Sequence, residues 1–245
     1  CKTYVRADRR TALLRTAVLI GALALWAGAD EIDAAKMALR DRLYPIAQNH
    51  ALHVLANTSD AQAEQALLIL LESLYEQGRA AEILTTLTAY EPVILRAKKP
   101  AAITYWRAKA LAAQGANADA ARLAEEAVSQ ADNDMADALR QVAARAYFSR
   151  GDLKSAVRIF SETEHASTNA LNRAANALEW ATVLQKTNQL DAALAVLQAQ
   201  SQLNVRASDM DEGVLLRARI LMAQGKMSEA TTCYNQLAMN DRARS

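Results

Sequence analysis

The stretch Ala144-Arg145-Ala146-Tyr147-Phe148-Ser149-Arg150-Gly151-Asp152-Leu153-Lys154-Ser155-Ala156-Val157-Arg158-Ile159-Phe160 reads as a helix, a tight turn and a second helix. Ala144 and Tyr147 stand three apart, and Ala156 and Phe160 four apart, so each pair shares one helix face. Gly151 lies between them, and glycine most readily takes the left-handed conformation that ends a helix. An alanine at a contact lets two helices approach closely, and a larger neighbour fills the adjacent gap. The stretch therefore predicts an antiparallel helical hairpin turning at Gly151.

The turn residue recurs along the chain. Gly78, Gly115, Gly151 and Gly225 lie 37, 36 and 74 residues apart. The midpoint of the last interval is Asn188, and asparagine is the next best residue for a left-handed cap. Seven residues before these five caps stand Leu71, Ala108, Ala144, Ala181 and Ala218; four before stand Leu74, Leu111, Tyr147, Leu184 and Leu221. Five after stand Ile83, Ala120, Ala156, Ala193 and Ala230; nine after stand Leu87, Ala124, Phe160, Leu197 and Tyr234. A fixed period with fixed packing positions is the mark of a stacked helical repeat.

Composition agrees. Apolar residues make up 52% of the 245 and charged residues 22%, which is too apolar for a disordered chain and too charged for a polytopic membrane protein. Seven glycines and three prolines are too few for the turns of an all-β fold. Aromatics are only 5%, so the core must be built from alanine and leucine.

The units resemble tetratricopeptide repeats (TPRs): a small residue and an aromatic or leucine in the first helix, glycine at the turn, then alanine and an aromatic in the second. Ala144, Tyr147, Gly151, Leu153, Ala156 and Phe160 carry the pattern best, and Ala218, Leu221, Gly225, Met227, Ala230 and Tyr234 nearly as well. The expected fold is all-α, an α-solenoid of about six antiparallel helical hairpins with a period of 36–37. That spacing exceeds the usual ~34, which predicts longer loops. The pattern's early tryptophan is absent and its closing proline is not regularly placed. Residues 60–240 form five repeats, 30–59 a degenerate first hairpin made of Glu31–Leu43 and Pro45–Asn57, and 241–245 a polar tail. Ser59 with Gln62 and Ser208 with Asp211 read as capping boxes, Pro100 as the start of a helix to Gln114, and Ser167 or Thr168 as the cap of a helix running to Lys186.

Residues 1–29 are ordered differently. Lys2, Arg6, Arg9, Arg10 and Arg15 precede the uncharged run Ala17–Ala29, which closes in Ala27-Gly28-Ala29. Basic, apolar and small, in that order, resembles a bacterial export signal cleaved after Ala29. A signal anchor with its basic end in the cytoplasm, a packed helix and a lipidated Cys1 are the other readings, the last disfavoured because the apolar run follows Cys1 instead of preceding it. The expected location is the periplasm, or the inner membrane facing it if the segment is retained.

The segment also accounts for the net charge of +1: without its five basic groups and Asp8, residues 30–245 hold 23 basic and 26 acidic groups, a net −3. That argues against a general nucleic-acid binder, which needs a basic face for phosphates, and less strongly against one small basic site. Cys1 and Cys233 give no disulfide framework, and Cys233 is expected to be a buried thiol.

No motif of nucleotide binding, nucleophilic catalysis or zinc hydrolysis occurs. His50 and His53 share a helix face, but no further ligand stands at helical spacing, so they are read as a solvated or core-edge pair and no metal or cofactor is expected. His165 is placed in a polar loop, Ser161–Thr168, facing water, and the acid pairs Glu125-Glu126 and Glu162/Glu164 carry no mark of a catalytic dyad.

The TPR resemblance implies instead a concave groove lined by the first helices, for a peptide or partner helix. By register its candidates are Leu68, Tyr105, Gln141, Leu178 and Leu215 ten before the cap; Glu72, Lys109, Arg145, Thr182 and Arg219 six before; and Tyr75, Ala112, Phe148, Gln185 and Met222 three before. Cations beside apolar shelves suit an acidic or extended segment. The expected function is a non-enzymatic protein–protein interaction scaffold of the cell envelope. A membrane-anchored recruiter is the alternative, and an enzyme built on a solenoid is a third reading.

Overall fold

The structure, a computed structural model, describes residues 31–57 and 61–242. Its helices in chain order are α1 (31–40), α2 (Tyr44–Asn57), α3 (Ala61–Glu76), α4 (Ala80–Ala89), α5 (Glu91–Ile94), α6 (Pro100–Ala113), α7 (Asn117–Ala127), α8 (Asn133–Ser149), α9 (Leu153–Ala166), α10 (Ala170–Lys186), α11 (Leu190–Gln200), α12 (Ala207–Ala223) and α13 (Met227–Arg242). No strand occurs among the described residues. The fold class is all-α, a TPR-like helical repeat, as the periodicity predicts.

Every hairpin turn closes by one device. Gly78, Gly115, Gly151, Asn188 and Gly225 have φ of 71°, 81°, 84°, 60° and 75°. The amide after each cap donates to the carbonyl four residues before the cap: Arg79 to Leu74, Ala116 to Leu111, Asp152 to Tyr147, Gln189 to Leu184 and Lys226 to Leu221, at 2.8–2.9 Å. The left-handed residue reverses the chain so that orphan carbonyls of the first helix are met. A sixth copy had no glycine to reveal it. Arg42 has φ 60° and Leu43 N donates to Ala38 O at 2.8 Å. Arg42 lies 36 residues before Gly78, in phase with the rest.

The packing register follows from these closures. The residues seven before and five after all six caps are buried: Ala35, Leu71, Ala108, Ala144, Ala181 and Ala218, then Ala47, Ile83, Ala120, Ala156, Ala193 and Ala230. The chain parts into two compact units between Ala110 and Leu111, within α6. In the first, Ala35, Ala47, Ala51, Leu67, Leu71, Ile83 and Ile103 belong to one apolar cluster. In the second, alanines share the interior with larger side chains, as where Ala144, Ala156, Ile159, Phe160 and Val183 cluster.

The extra residues of the long period lie between hairpins, as expected. In the first unit they form α5 and the link to α6, where buried Glu64 accepts from the amides of Lys98 and Lys99 at 2.9 and 2.8 Å. In the second they form the 3-10 turn Val128–Gln130 and the link from Ser201 to Arg206.

Two capping expectations and one placement need correction. Asn169, not Ser167 or Thr168, caps α10, its Oδ1 accepting from Leu171 N and Asn172 N. Ser167 is drawn inward instead, its Oγ donating to Asp137 Oδ2 at 2.5 Å. Asp137 is 2% exposed and is held also by Asn172 Nδ2 at 3.1 Å and Arg140 Nη1 at 3.1 Å, so a buried carboxylate sets where the helix begins. Ser208 caps nothing: α12 starts at Ala207, with Arg206 paired to Asp209 before it. His165 is exposed as expected, but on the last turn of α9 rather than in a loop. The Ser59 box and residues 1–29 lie outside the described residues. Among the described residues no helix is long and apolar enough to cross a membrane.

Candidate functional site

Of the fifteen residues in the three rows assigned to the groove, Arg145, Arg219 and Met222 are exposed and the other twelve are half-buried. None is buried, although each row lies within four helix positions of a row that is sealed. The first helices therefore present one face to the interior and an adjoining face outward.

In the first unit the face comprises Glu72 and Tyr75 on α3 and Tyr105 and Lys109 on α6. Trp106 completes it, with its ring centroid 5.6 Å from that of Tyr75 and 5.0 Å from that of Tyr105. Lys109 Nζ stands 3.8 Å from the Tyr75 centroid, 4.6 Å from Trp106 and 5.1 Å from Tyr105. Three π-faces surround one ammonium, and each attracts it through the ring quadrupole. Glu72 is half-buried beside this cluster. Burial pushes its carboxyl above the usual range, Glu76 pushes the same way, and Lys109 opposes both.

In the second unit the face runs along α8, α10 and α12. Arg145 makes a two-pronged ion pair with Glu179, through Nε at 2.7 Å and through Nη2. Lys186 Nζ lies 5.5 Å from the Phe148 ring centroid. Gln141, Leu178, Gln185 and Leu215 are half-buried along the same face. Arg219 is exposed and has no ion pair or hydrogen bond among the described residues; Met222 is exposed and its Sδ accepts from Tyr234 Oη at 3.4 Å.

Sequence reasoning missed Trp106, Glu179 and Lys186. The first two share a position nine before their caps, three residues from the cation row, and that spacing was the signal available. Adjacent hairpins meet there: Glu179 of one faces Arg145 of the one before it.

The residues considered for catalysis are engaged elsewhere. Glu125 accepts from Tyr147 Oη at 2.7 Å, which holds that phenol's pKa up, and from Arg158 at 2.8 Å. Arg158 also binds Glu162 at 2.8 Å, and His165 Nδ1 contacts Ser161 O at 2.7 Å. Glu125, Glu162 and His165 line an open hollow of about 660 Å³. His50 and His53 both reach Glu31, at 2.5 and 3.8 Å, so the pair ties α2 to α1. Among the described residues no cluster of three or more such groups is arranged to hold a metal ion.

No family model matches the chain, and no curated protein matches it. Among solved structures it is similar to a Podosopora anserina protein assigned as a kinesin light chain with nearly identical TPR-like repeats. Identity is 20%, covering 75% of this chain and 97% of that one, with a TM-score of 0.57. A single-substitution variant of that protein gives the same figures. The likeness is one of fold, and it agrees with the hairpins and closures described above.

Proposed function

We propose that the protein is a non-enzymatic adaptor whose first-helix faces bind an extended, acidic segment of a partner protein. The observation that carries this is the contrast between rows: the same helices are sealed seven residues before the cap and only half-buried or exposed at ten, six and three. Rigid hairpins hold cations beside aromatic and aliphatic shelves there, and such surfaces suit peptides carrying carboxylates. Export to the cell envelope is part of the proposal and rests on the order of residues 1–29 alone. N-terminal sequencing of protein recovered from its host tests that part: a start at Asp30 supports it, and a membrane-bound protein retaining Lys2 favours the anchored recruiter.

The binding reading is tested with a panel of labelled short peptides, in which Asp and Glu alternate with apolar residues, against a charge-reversed panel. Exposed ion pairs are screened over ~8–10 Å, so acidic peptides should bind more weakly as salt rises. Arg145→Glu should weaken binding, and Glu179→Gln, which removes a competitor for Arg145, should strengthen it. Lys154→Glu, exposed on the second helix of the same hairpin, is the control. Arg158 is unsuitable as a control because it bridges Glu125 and Glu162. Equal loss in the Lys154 variant, or a preference for the basic panel, contradicts the proposal.

A further inference from the structure

A second, smaller site lies away from this face. A cavity of about 220 Å³ opens within the second unit, between the end of α11, the link that follows it, α12 and α13. Leu197, Leu203, Val205, Met210 and Val214 give it apolar walls, and the buried thiol of Cys233 forms part of its lining. Four polar side chains interrupt this lining, Gln200, Ser201, Arg217 and Gln236, and two of them, Gln200 and Arg217, combine burial or half-burial with hydrogen-bonding capacity that the protein leaves unused.

The first is Gln200. Its side chain is nine-tenths buried, with the residue 4% exposed, and Nε2 donates to Ala174 O at 2.7 Å. Oε1 accepts no hydrogen bond among the described residues. The amide lies directly against α12 at Gly213, where a Cβ would stand 2.1 Å from Oε1. Gly213 is the one described glycine without a left-handed φ. A glycine inside a helix sacrifices helix stability, and here it leaves the amide room to occupy the cavity wall. The second group is Arg217, half-buried on α12, whose guanidinium has no ion pair or hydrogen bond among the described residues.

We propose that this cavity binds an apolar residue bearing a free carboxylate and an N–H donor, as a free amino acid or as the C-terminal residue of a peptide. The guanidinium pairs with the carboxylate, and Gln200 Oε1 accepts from the N–H. The aliphatic walls take the side chain. A liquid water occupies ~30 Å³, so the cavity holds the equivalent of about seven waters, the scale of one amino acid. One guanidinium with only uncharged neighbours in the lining does not compensate the desolvation of a dianion, which selects a carboxylate over a phosphate.

The test uses the full chain and four probes: N-acetyl-leucine, N-acetyl-leucinamide, leucine and a short peptide ending in leucine. Affinity is read by calorimetric titration, and occupancy by the rate of iodoacetamide alkylation at Cys233, mapped by mass spectrometry separately from Cys1. N-acetyl-leucine should bind and slow alkylation. Its amide should bind roughly tenfold or more weakly, the worth of a charge-assisted hydrogen bond. Arg217→Gln should erase the difference between acid and amide with melting and helicity unchanged. Binding by the peptide as well identifies a chain end as occupant, and binding by the small acids alone identifies a free amino acid; both support the site. Equal affinity for acid and amide, an unaltered preference in the Arg217→Gln variant, or no binding at millimolar probe overturns it.

Discussion

Ala156 shows what one position in the register is worth. It is fully buried in the cluster that also holds Ala144, Ile159 and Phe160, so added methylenes have no room. Ala156→Leu should destabilise by ~1–3 kcal/mol, the usual effect of overpacking. Glu126→Ala removes only an exposed pair with Arg122 and should stay within about 0.5 kcal/mol. Urea midpoints compare the two, and equal midpoints would show the register to be wrong. Glu72 gives a prediction in pH. Its folded carboxyl titrates above the ordinary glutamate range, so between those two values the folded state holds more protons than the unfolded one. Its contribution to stability therefore falls as pH rises through that window. Glu72→Gln should flatten the profile there and raise stability at neutral pH, as urea midpoints across the range would show. Small residues at fixed spacing were legible in the sequence because packing constrains them in every repeat. Glu64 and Asp137 were passed over although both stand fourteen before their caps, and Asn176 has no polar counterpart twelve before the glycine caps: it is fully buried and donates to Phe160 O at 3.0 Å, a contact between one pair of adjacent hairpins.

At the scale of the element, a helix end is defined by backbone geometry, and several residue types can supply it. Four glycines and Asn188 exposed five closures to sequence reading; Arg42 hid the sixth, although its hydrogen bonds are the same. A left-handed conformation costs a residue with a Cβ ~1–2 kcal/mol, and glycine's extra unfolded freedom offsets about 0.5–1 of it. Arg42→Gly should therefore stabilise the protein by up to ~1 kcal/mol, and Arg42→Val should destabilise it, both read as shifts in melting temperature. Asn188→Ala should lower stability by ~1 kcal/mol for the same reason. A melting point that falls on Arg42→Gly would show that the arginine side chain contributes more than the turn. Caps at the other end were read less well, since Ser, Thr and Asn all suit that position. The choice of Asn169 over Ser167 was made by Asp137, a partner 30 residues away from Ser167 in sequence.

Across the whole molecule, six closures in one phase produce hairpins that differ mainly in what their open faces carry. The first unit offers an aromatic cluster around Lys109, and the second a line of polar and apolar groups interrupted by the Arg145–Glu179 pair. Register alone located this face, because burial in a repeat follows the period. Its chemistry was only half legible: Lys109, Arg145, Tyr75 and Tyr105 were found by register, whereas Trp106, on the same helix as Lys109, and Glu179, on the hairpin after that of Arg145, were not. The central claim is that partners dock on the first-helix face, and site-specific photo-crosslinking in the native host tests it most directly. A photoreactive residue replaces Phe148 or Gln185 on the open face, or Lys154 or Ala192 on second helices, where both native residues are exposed. Discrete protein adducts should form from positions 148 and 185, weaken when Arg145→Glu is added, and be absent from positions 154 and 192. Adducts from the second-helix positions alone, or equally from all four, would contradict the account.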